Sequence, residues 1–515
     1  MATTTNHYDL IVLGADIAGL VAAALVARRG KRVLVIPHGS AEGVYRLGGR
    51  PLALDTSPVI QMASHPVQRV FHELGLLQQV RRQHAPVDHL VHMILPQLRL
   101  DLQPSGRNLD TEAAREWPGD PVPEAWALAR RWGDATAEAL EELLASDNAL
   151  VADGFWGRRF LSRVAGQLPG SEVDELEPLP VDHPARDVAH ACLPWVQHLS
   201  PAQLGKAASL RLQSLWAMGP EDLTGGHPRL RELLLQRIAL HSGEVKPDLR
   251  VAEILVKRGK AVGVSLLGKR DRYGCDHLIV ATDPRRLLDG TLAPEHVPKP
   301  LLATLTAVEP VAHRFVLHLV IDERGLSPAL DRMALCLPDL ESLADDPDAA
   351  RGWASHGVGR IFLRVSPGPT EETRLLSATR IVRDGEPLHD MRERILEELD
   401  TRGVLPFCRP HLRLVHSPHD GREPTDGRGM PRQDLGDGPT LAYPMGSLYL
   451  LHGEPSLGVG ILPHASGLKQ MYFACRLTLP GLGLEGEFAA GTLAASLVAN
   501  PARSPFSRSP LLSRA

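Results

Sequence analysis

The chain has 515 residues, of which 43% are hydrophobic and 23% charged, and its formal net charge is -5. These totals are typical of an ordinary globular protein with room for two or three domains. They exclude nucleic acid as a favoured partner, because phosphate binding depends on clustered Lys and Arg and no long basic stripe is present. The five cysteines include no CxxC pair, which argues against a disulfide framework or a zinc knuckle and predicts a reducing, cytoplasmic location.

The N-terminal segment predicts a βαβ unit made of the strand Tyr8–Leu13, the helix Leu20–Arg29 and the strand Val33–Ile36. The first strand is almost wholly apolar, as expected of a central parallel strand covered on both faces, and Gly30 ends the helix. The apolar run from Leu10 to Ala27 imitates a membrane span. Polar and glycine residues interrupt this run, and no basic segment precedes it as in a signal peptide. The run therefore predicts a buried strand followed by a buried helix. Peripheral contact of the protein with a bilayer stays possible.

Residues from about 110 to 218 have a mostly helical pattern. A second block begins at Gly225-Gly226, where Pro228 suits the first turn of a helix with Leu and Ile along one face. The strands predicted after this helix are Leu249–Val256, Ala261–Leu267 and His277–Ala281, the first two joined by a hairpin at Arg258-Gly259.

Residues from about 300 to 440 mix strands and helices, with polar loops near 340–352 and 417–439. Residues 501–515 have no apolar period and predict a flexible tail.

Four segments carry motifs whose order and spacing extend over nearly the whole chain. They are Tyr8–Ile36, Leu223–Val245, His277–Leu288 and Tyr472–Val498. Together they resemble the phytoene-desaturase branch of the FAD-dependent amine-oxidase superfamily. The resemblance implies an α/β fold, in which a Rossmann-type FAD- or NAD(P)-binding domain is interrupted by a mixed α+β substrate-binding domain that encloses a long apolar substrate.

The resemblance also implies domain limits. Residues 1–105, 220–300 and 445–500 are expected to form the discontinuous FAD-binding-like domain, and residues 106–219 and 301–444 the substrate-binding domain.

The cofactor-site residues that the resemblance implies belong to the glycine fingerprint, the end of the second strand, a Gly-Gly-Arg run and the last motif. They are Gly14, Ala15, Asp16, Gly19, Pro37, Gly43, Gly48, Gly49, Arg50, Arg476 and Gly483. In such proteins the flavin carries the hydride chemistry, so no catalytic residue is identified.

The fingerprint G-x-G-x-x-G keeps its turn glycine, Gly14, and its packing glycine, Gly19, but Asp16 replaces the glycine that lets the backbone approach the pyrophosphate. Two charges about 4 Å apart repel by roughly 4 kcal/mol at an effective dielectric of about 20, which lowers affinity about a thousandfold. Asp16 avoids part of this cost if it rotates away or caps the helix N-terminus. In the second case the protein supplies its own anion at the phosphate site.

Other positions depart from the family pattern as well. Pro37 stands where an acidic residue would accept hydrogen bonds from the ribose, a loss of roughly 1.5–3 kcal/mol. Gly43-Val44 stands at the expected Gly-Gly-Arg position, although Gly48-Gly49-Arg50 follows five residues later and a longer loop would restore that element. Ala474-Cys475-Arg476 in the last motif has no carboxylate, but the Arg476 guanidinium is able to pair with phosphate.

The 23 histidines predict no metal site. His183, His190 and His198 recur at spacings of seven and eight, but prolines break the helix that would align them and no carboxylate cluster accompanies them. His318 lies in a predicted strand, where neighbouring groups satisfy it. His464 lies in the region that approaches the flavin ring in the resembling enzymes.

Two functional hypotheses remain open. The first is an FAD-dependent oxidoreductase that resembles the carotenoid desaturases, acts on a long apolar isoprenoid or lipid, and binds its cofactor weakly because of Asp16 and Pro37. The second is a cofactor-free relative that binds a lipid or a protein partner, as the Rab GDP-dissociation inhibitors of the same superfamily do. A different nucleotide in the crevice is disfavoured, because Asp16 repels any diphosphate.

Overall fold

The computed structural model describes most of the chain. The described residues are 6–38, 43–57, 64–85, 91–145, 149–152, 154–170, 172–219, 222–223, 225–268, 271–328, 330, 332–339, 356–435 and 442–499. The predicted tail at 501–515 and the predicted loop near 340–352 lie outside these ranges. Within the ranges, no helix is long and apolar enough to cross a membrane.

The strands and helices of the described residues are numbered in chain order. The strands are β1 (Asn6–Gly14), β2 (Val33–Ile36), β3 (Val44–Leu47), β4 (Arg50–Ala53), β5 (His84–Ala85), β6 (Val91–Ile94), β7 (Arg99–Leu102), β8 (Asp222–Leu223), β9 (Glu244–Val245), β10 (Val251–Lys257), β11 (Lys260–Leu266), β12 (Arg272–Ala281), β13 (Val308–Asp322), β14 (Met333–Cys336), β15 (Ile361–Pro367), β16 (Thr373–Arg383), β17 (Leu412–His416), β18 (Gly446–Leu451) and β19 (Met471–Phe473). The helices are α1 (Ile17–Arg28), α2 (His65–Glu73), α3 (Leu77–Arg82), α4 (Leu109–Glu116), α5 (Val122–Ala145), α6 (Phe155–Ala165), α7 (Pro184–His190), α8 (Leu193–Val196), α9 (Lys206–Ala217), α10 (Gly226–Leu240), α11 (Lys299–Thr306), α12 (Met391–Thr401) and α13 (Gly483–Val498).

The first sheet contains the predicted βαβ unit of β1, α1 and β2. Its strand order is β10-β11-β12-β1-β2-β9, and β19 pairs with the C-terminal half of β12. Strands β9, β2, β1, β12 and β19 are parallel, in agreement with the nearly continuous apolar sequence of β1. Gly14 pairs with Ala281 in the register of β1 and β12, so the turn after β1 lies against the end of β12.

The local predictions for this region are confirmed. The apolar run that imitates a membrane span is divided between β1 and α1, and both are buried. Strands β10 and β11 form the predicted hairpin. Its turn residues Arg258 and Gly259 have φ angles of 53° and 71°, and a type I′ turn requires positive φ at both positions.

The second sheet lies between two layers of helices. Its strand order is β17-β13-β16-β15-β14-β6-β7, and β18 also pairs with β13. On one face, Ile395 and Leu399 of α12 share a buried cluster with Phe315 of β13. On the other face, Trp126 and Trp195 belong to a cluster that joins the helical region to the sheet, which explains why tryptophans are frequent there.

Two predicted domain limits differ from the observed sheets. Residues 91–102, expected in the FAD-binding-like domain, form β6 and β7, and β6 pairs with β14 of the second sheet. Residues 446–451, expected in the same domain, form β18, which pairs with β13. Short strands carry no local indication of their partner, because hydrogen-bond pairing in a sheet is decided by tertiary contacts.

Candidate functional site

The turn between β1 and α1 has the tight geometry that its two glycines allow. Gly14 has a φ angle of 110°, and a Cβ atom at this position would overlap the carbonyl group of Ala281. A Cβ atom on Gly19 would overlap the Ala281 side chain. Both glycines are therefore required by the close approach of β12, as the fingerprint predicts.

Asp16 is the N-cap residue of α1, and its backbone N–H donates to Ala281 O at 3.0 Å. Its side chain makes no capping hydrogen bond, so the arrangement in which Asp16 itself caps the helix is not the one observed. Burial raises the pKa of Asp16 to about 6, with Arg476 and Arg231 opposing this rise and Glu487 adding to it. Near neutral pH, Asp16 therefore places a negative charge at the phosphate-facing position.

Glu487 of α13 supplies the carboxylate that the helix N-terminus binds. Glu487 Oε2 accepts the backbone N–H of Ala18, in the first turn of α1, at 3.3 Å. The Glu487 side chain reaches this position because α13 packs directly on α1, where a Cβ atom on Gly491 would overlap Ala18 O. Residues 487 and 491 are one helical turn apart, so the contact at Gly491 directs Glu487 to the same face.

The other carboxylate oxygen of Glu487 also has charged or polar neighbours. Glu487 Oε1 lies 3.2 Å from His198 Nε2 and 3.7 Å from Arg476 Nε. Burial raises the pKa of Glu487, but the His198 hydrogen bond and the Arg476 charge outweigh it and lower the pKa. Burial lowers the pKa of His198 to about 4, so His198 is neutral near pH 7 and donates its Nε2–H.

The charged residues around Glu487 continue into the interior. The Asp55 carboxylate accepts the Ser57 N–H at 2.9 Å. Burial opposes ionisation of Asp55, but His227, Arg314 and Arg476 lower its pKa. The Arg314 guanidinium donates to Pro194 O at 2.7 Å, and burial lowers its pKa to about 10.

We refer to these ionised side chains together as the charge cluster. Its members are Asp16, Asp55, Arg231, Arg314, Arg476 and Glu487. Among these residues three carboxylates face three guanidinium groups. The nearby imidazoles of His198 and His227 have pKa values lowered by burial. The charge cluster is therefore balanced without a ligand.

The charge cluster borders a small cavity. Asp55, Arg314, Arg476 and Glu487 are among the residues that line it, and its volume is about 20 Å³. Such a volume holds roughly one water molecule.

Several features of this arrangement oppose the diphosphate of a dinucleotide. The Ala18 N–H already donates to Glu487, and the charge cluster has no surplus cation for two more negative charges. Asp16 adds repulsion at the position where the backbone would approach the phosphates.

The end of β2 also differs from a ribose site. Pro37 offers no side-chain acceptor, and His38 follows it. His38 Nδ1 accepts the backbone N–H of Val251 at 3.2 Å. Burial, together with the charges of Arg286 and Arg250, lowers the pKa of His38. The neutral imidazole of His38, which is hydrogen-bonded to β10, therefore lies near the position where the family pattern has a carboxylate.

The structure brings most of the predicted cofactor residues to this region. Arg231 donates to the carbonyl oxygen of Ala15, and a Cβ atom on Gly43 would lie 2.9 Å from Arg231 Cδ. Gly483 begins α13 with a φ angle of 52° and borders the cavity beside Arg476.

The Gly48-Gly49-Arg50 run lies elsewhere. It forms the exposed turn of the β3–β4 hairpin. Leu52 on this hairpin packs against Val320 and Leu414 of the second sheet. A longer loop was expected to bring this run back to the glycine fingerprint, and the observed hairpin does not do so.

His183, His190, His318 and His464 have protein partners. His183 Nδ1 caps α7 by accepting the Ala185 N–H, and His190 pairs with Glu175 at 3.0 Å. His318 lies 2.9 Å from Ser377 Oγ, and His464 Nδ1 lies 2.9 Å from Phe473 O. Within the described part of the chain, no group of His, Cys, Asp and Glu side chains is arranged to hold a metal ion.

Glu487, Asp55 and Arg314 are not among the site residues predicted from the sequence. Only Glu487 had a local signal, because it and Glu485 are the only charged residues in the otherwise apolar helix Gly483–Val498. Buried carboxylates in such a helix need partners. Asp55 and Arg314 lie in unrelated segments and meet only in the folded protein.

Comparison with known proteins identifies related chains. The sequence model of the FAD binding domain family matches residues 9–310. Hydroxyneurosporene desaturase from Rhodobacter capsulatus is 25% identical over 320 residues, which are 56% of this chain and 58% of that protein. The probable electron transfer flavoprotein-quinone oxidoreductase YdiS from Escherichia coli is 30% identical over 181 residues, 32% of this chain and 41% of that one. The chain thus matches less than two thirds of the length of either protein.

Solved structures share the fold over nearly the whole chain. Cyclohexylamine oxidase from Brevibacterium oxydans has a TM-score of 0.55 and 15% identity, covering 96% of this chain and 98% of that one. Wild-type putrescine oxidase bound to putrescine has a TM-score of 0.54 and 13% identity, covering 96% and 99%. These similarities establish a Rossmann-type α/β fold with an inserted mixed domain, as the sequence predicted.

Proposed function

Because the chain belongs to the FAD binding domain family, we propose that it is a desaturase-like member that has lost tight FAD binding and binds a long apolar molecule. The hydrogen bond from Ala18 N–H to Glu487 carries this proposal. The N-terminal amides of a helix are the usual anion site of this fold, and here a carboxylate of the protein occupies it. The apolar ligand class is supported by the similarity to a protein named for hydroxyneurosporene.

A second candidate is an FAD-dependent oxidoreductase that acts on such a molecule. The retained geometry of Gly14 and Gly19 favours it, as does the family match. In this candidate FAD would supply the redox chemistry. Glu487 and Asp16 would have to leave the phosphate position when FAD binds, which is the cost that weakens binding.

We also propose that the protein is cytoplasmic and does not bind nucleic acid. All five cysteines are buried and unpaired, which favours a reducing cytoplasm. The absence of a basic stripe in the acidic sequence disfavours nucleic acid.

A visible spectrum and an FAD titration test the proposal. We expect the purified protein to be colourless and to bind FAD only at high micromolar concentrations or above. Asp16→Gly combined with Glu487→Ala should free the Ala18 N–H and remove two negative charges. We expect this variant to bind FAD at least about tenfold more tightly, a conservative fraction of the estimated repulsion.

A matched control removes two carboxylates elsewhere. Asp248→Gly combined with Glu253→Ala changes the net charge equally at exposed positions and should leave FAD affinity unchanged. A stoichiometric flavin band in the wild-type protein would support the oxidoreductase instead. If the double variant does not fold, the wild-type spectrum and titration still separate the two candidates.

A further inference from the structure

Helix α6 exposes two large aromatic side chains. Phe155 is 64% exposed and Trp156 is 76% exposed. Their rings contact each other edge to face, with centroids 5.4 Å apart. Trp126 and Trp195, by contrast, are buried. Exposed neighbouring aromatic rings are costly to leave in water and mark a surface that contacts another phase or molecule.

The same helix is strongly basic. Arg158, Arg159 and Arg163 are exposed, and the helix sequence FWGRRFLSRVA contains no carboxylate. Among the described residues no hydrogen bond or ion pair neutralises these arginines, and the Arg163 guanidinium lies 5.6 Å from the centre of the Phe160 ring. The helix therefore carries three positive charges in a chain whose net charge is -5.

The helix is anchored to the protein by its other face. Leu161 and Val164 are buried, and Val164 and Phe160 pack with the core cluster that also contains Leu479 and Leu482, next to α13. The aromatic pair and the arginines therefore project from a helix that is held in place, and they contribute little to the core.

We propose that α6 docks the protein on an anionic lipid bilayer. A Trp ring favours the headgroup level of a membrane, where its apolar body is buried and its N–H is wet, and a Phe ring beside it adds apolar surface that the membrane buries. Arginines beside them are attracted by anionic lipids, and this combination characterises helices that lie on a membrane surface. The three arginines favour an anionic surface, and the exposed Phe155–Trp156 pair beside them favours a bilayer over an acidic protein, because its rings find apolar surroundings there.

Co-sedimentation of the full-length protein with phosphatidylcholine vesicles, with and without phosphatidylglycerol, tests this proposal. We expect binding only when phosphatidylglycerol is present, and release at high salt because screening weakens the attraction. Phe155→Ser combined with Trp156→Ser should lower partitioning at least about tenfold. Replacement of Arg158, Arg159 and Arg163 by Gln should lower partitioning by about a hundredfold, since each basic residue near the surface contributes about fivefold.

Phe407 provides a matched control, because it is 86% exposed on a different part of the molecule. Phe407→Ser should leave partitioning unchanged. Equal binding to both kinds of vesicle, no binding to either, or an equal loss in the Phe407 variant would overturn the proposal. So would a change in oligomeric state of the aromatic variant without a change in vesicle binding, because a second copy of the chain would then be the partner.

Discussion

At the residue scale, Asp16 makes the stability of the folded protein depend on pH. Burial raises its pKa to about 6, compared with about 3.9 in an unfolded chain. Between these values the folded protein binds more protons than the unfolded chain, so the Asp16 contribution to stability falls as pH rises through this window. The loss is complete above the folded pKa. Ionised Asp16 therefore destabilises the folded protein near neutral pH.

Asp16→Asn should remove this pH-dependent cost. We expect the variant to be more stable than the wild-type protein by up to about 3 kcal/mol near pH 7.5, and the difference to shrink toward about pH 4.5. Urea unfolding at the two pH values measures it. Asp248→Asn, at an exposed position, should show no such trend. A stability difference for Asp16→Asn that does not change with pH would contradict the assigned pKa shift.

Individual site residues were predictable only where their role is local. The spacing of Gly14, Asp16 and Gly19 identified the turn, because each fingerprint position has its own steric requirement. Glu487 was not predictable in this role, since its partner Ala18 is 469 positions away in the sequence. Nothing in either segment alone encodes that contact.

At the element scale, the packing of α13 on α1 depends on Gly491. A Cβ atom there would overlap Ala18 O and lie 2.8 Å from Val21 Cβ. Gly491→Ala should therefore push the two helices apart and lower the free energy of unfolding by about 1–3 kcal/mol. Gly166→Ala, where a Cβ atom meets nothing closer than 3.6 Å, should change it by less than about 0.5 kcal/mol. Chemical denaturation compares them, and equal effects would show that the helix contact is not tight.

The sequence predicted long elements better than short ones. The apolar run of β1 and the leucine face of α10 identify a strand and a helix without tertiary information. β6 and β18 lie within the residues expected in the FAD-binding-like domain but pair with the second sheet, because strands of four and six residues reveal neither their partner nor their direction. Pairing with β14 and β13 becomes apparent only in three dimensions.

At the scale of the whole molecule, the proposed function predicts what the protein carries when it is purified. A binding protein for an apolar molecule retains that molecule, because release into water exposes the apolar surface of the ligand. We expect an organic extract of the purified protein to contain an apolar compound in near-stoichiometric amount, detectable by mass spectrometry, and no flavin. An extract with flavin and no apolar compound would favour the oxidoreductase.

The contact between Glu487 and Ala18 also affects the order in which the first domain folds during translation. The βαβ segment of β1, α1 and β2 leaves the ribosome long before α13 is synthesised. Until α13 arrives, the first turn of α1 lacks the carboxylate that accepts its amide N–H, and β1 lacks its neighbour β12 until that strand has also been synthesised. The first domain therefore closes only after α13 has been synthesised.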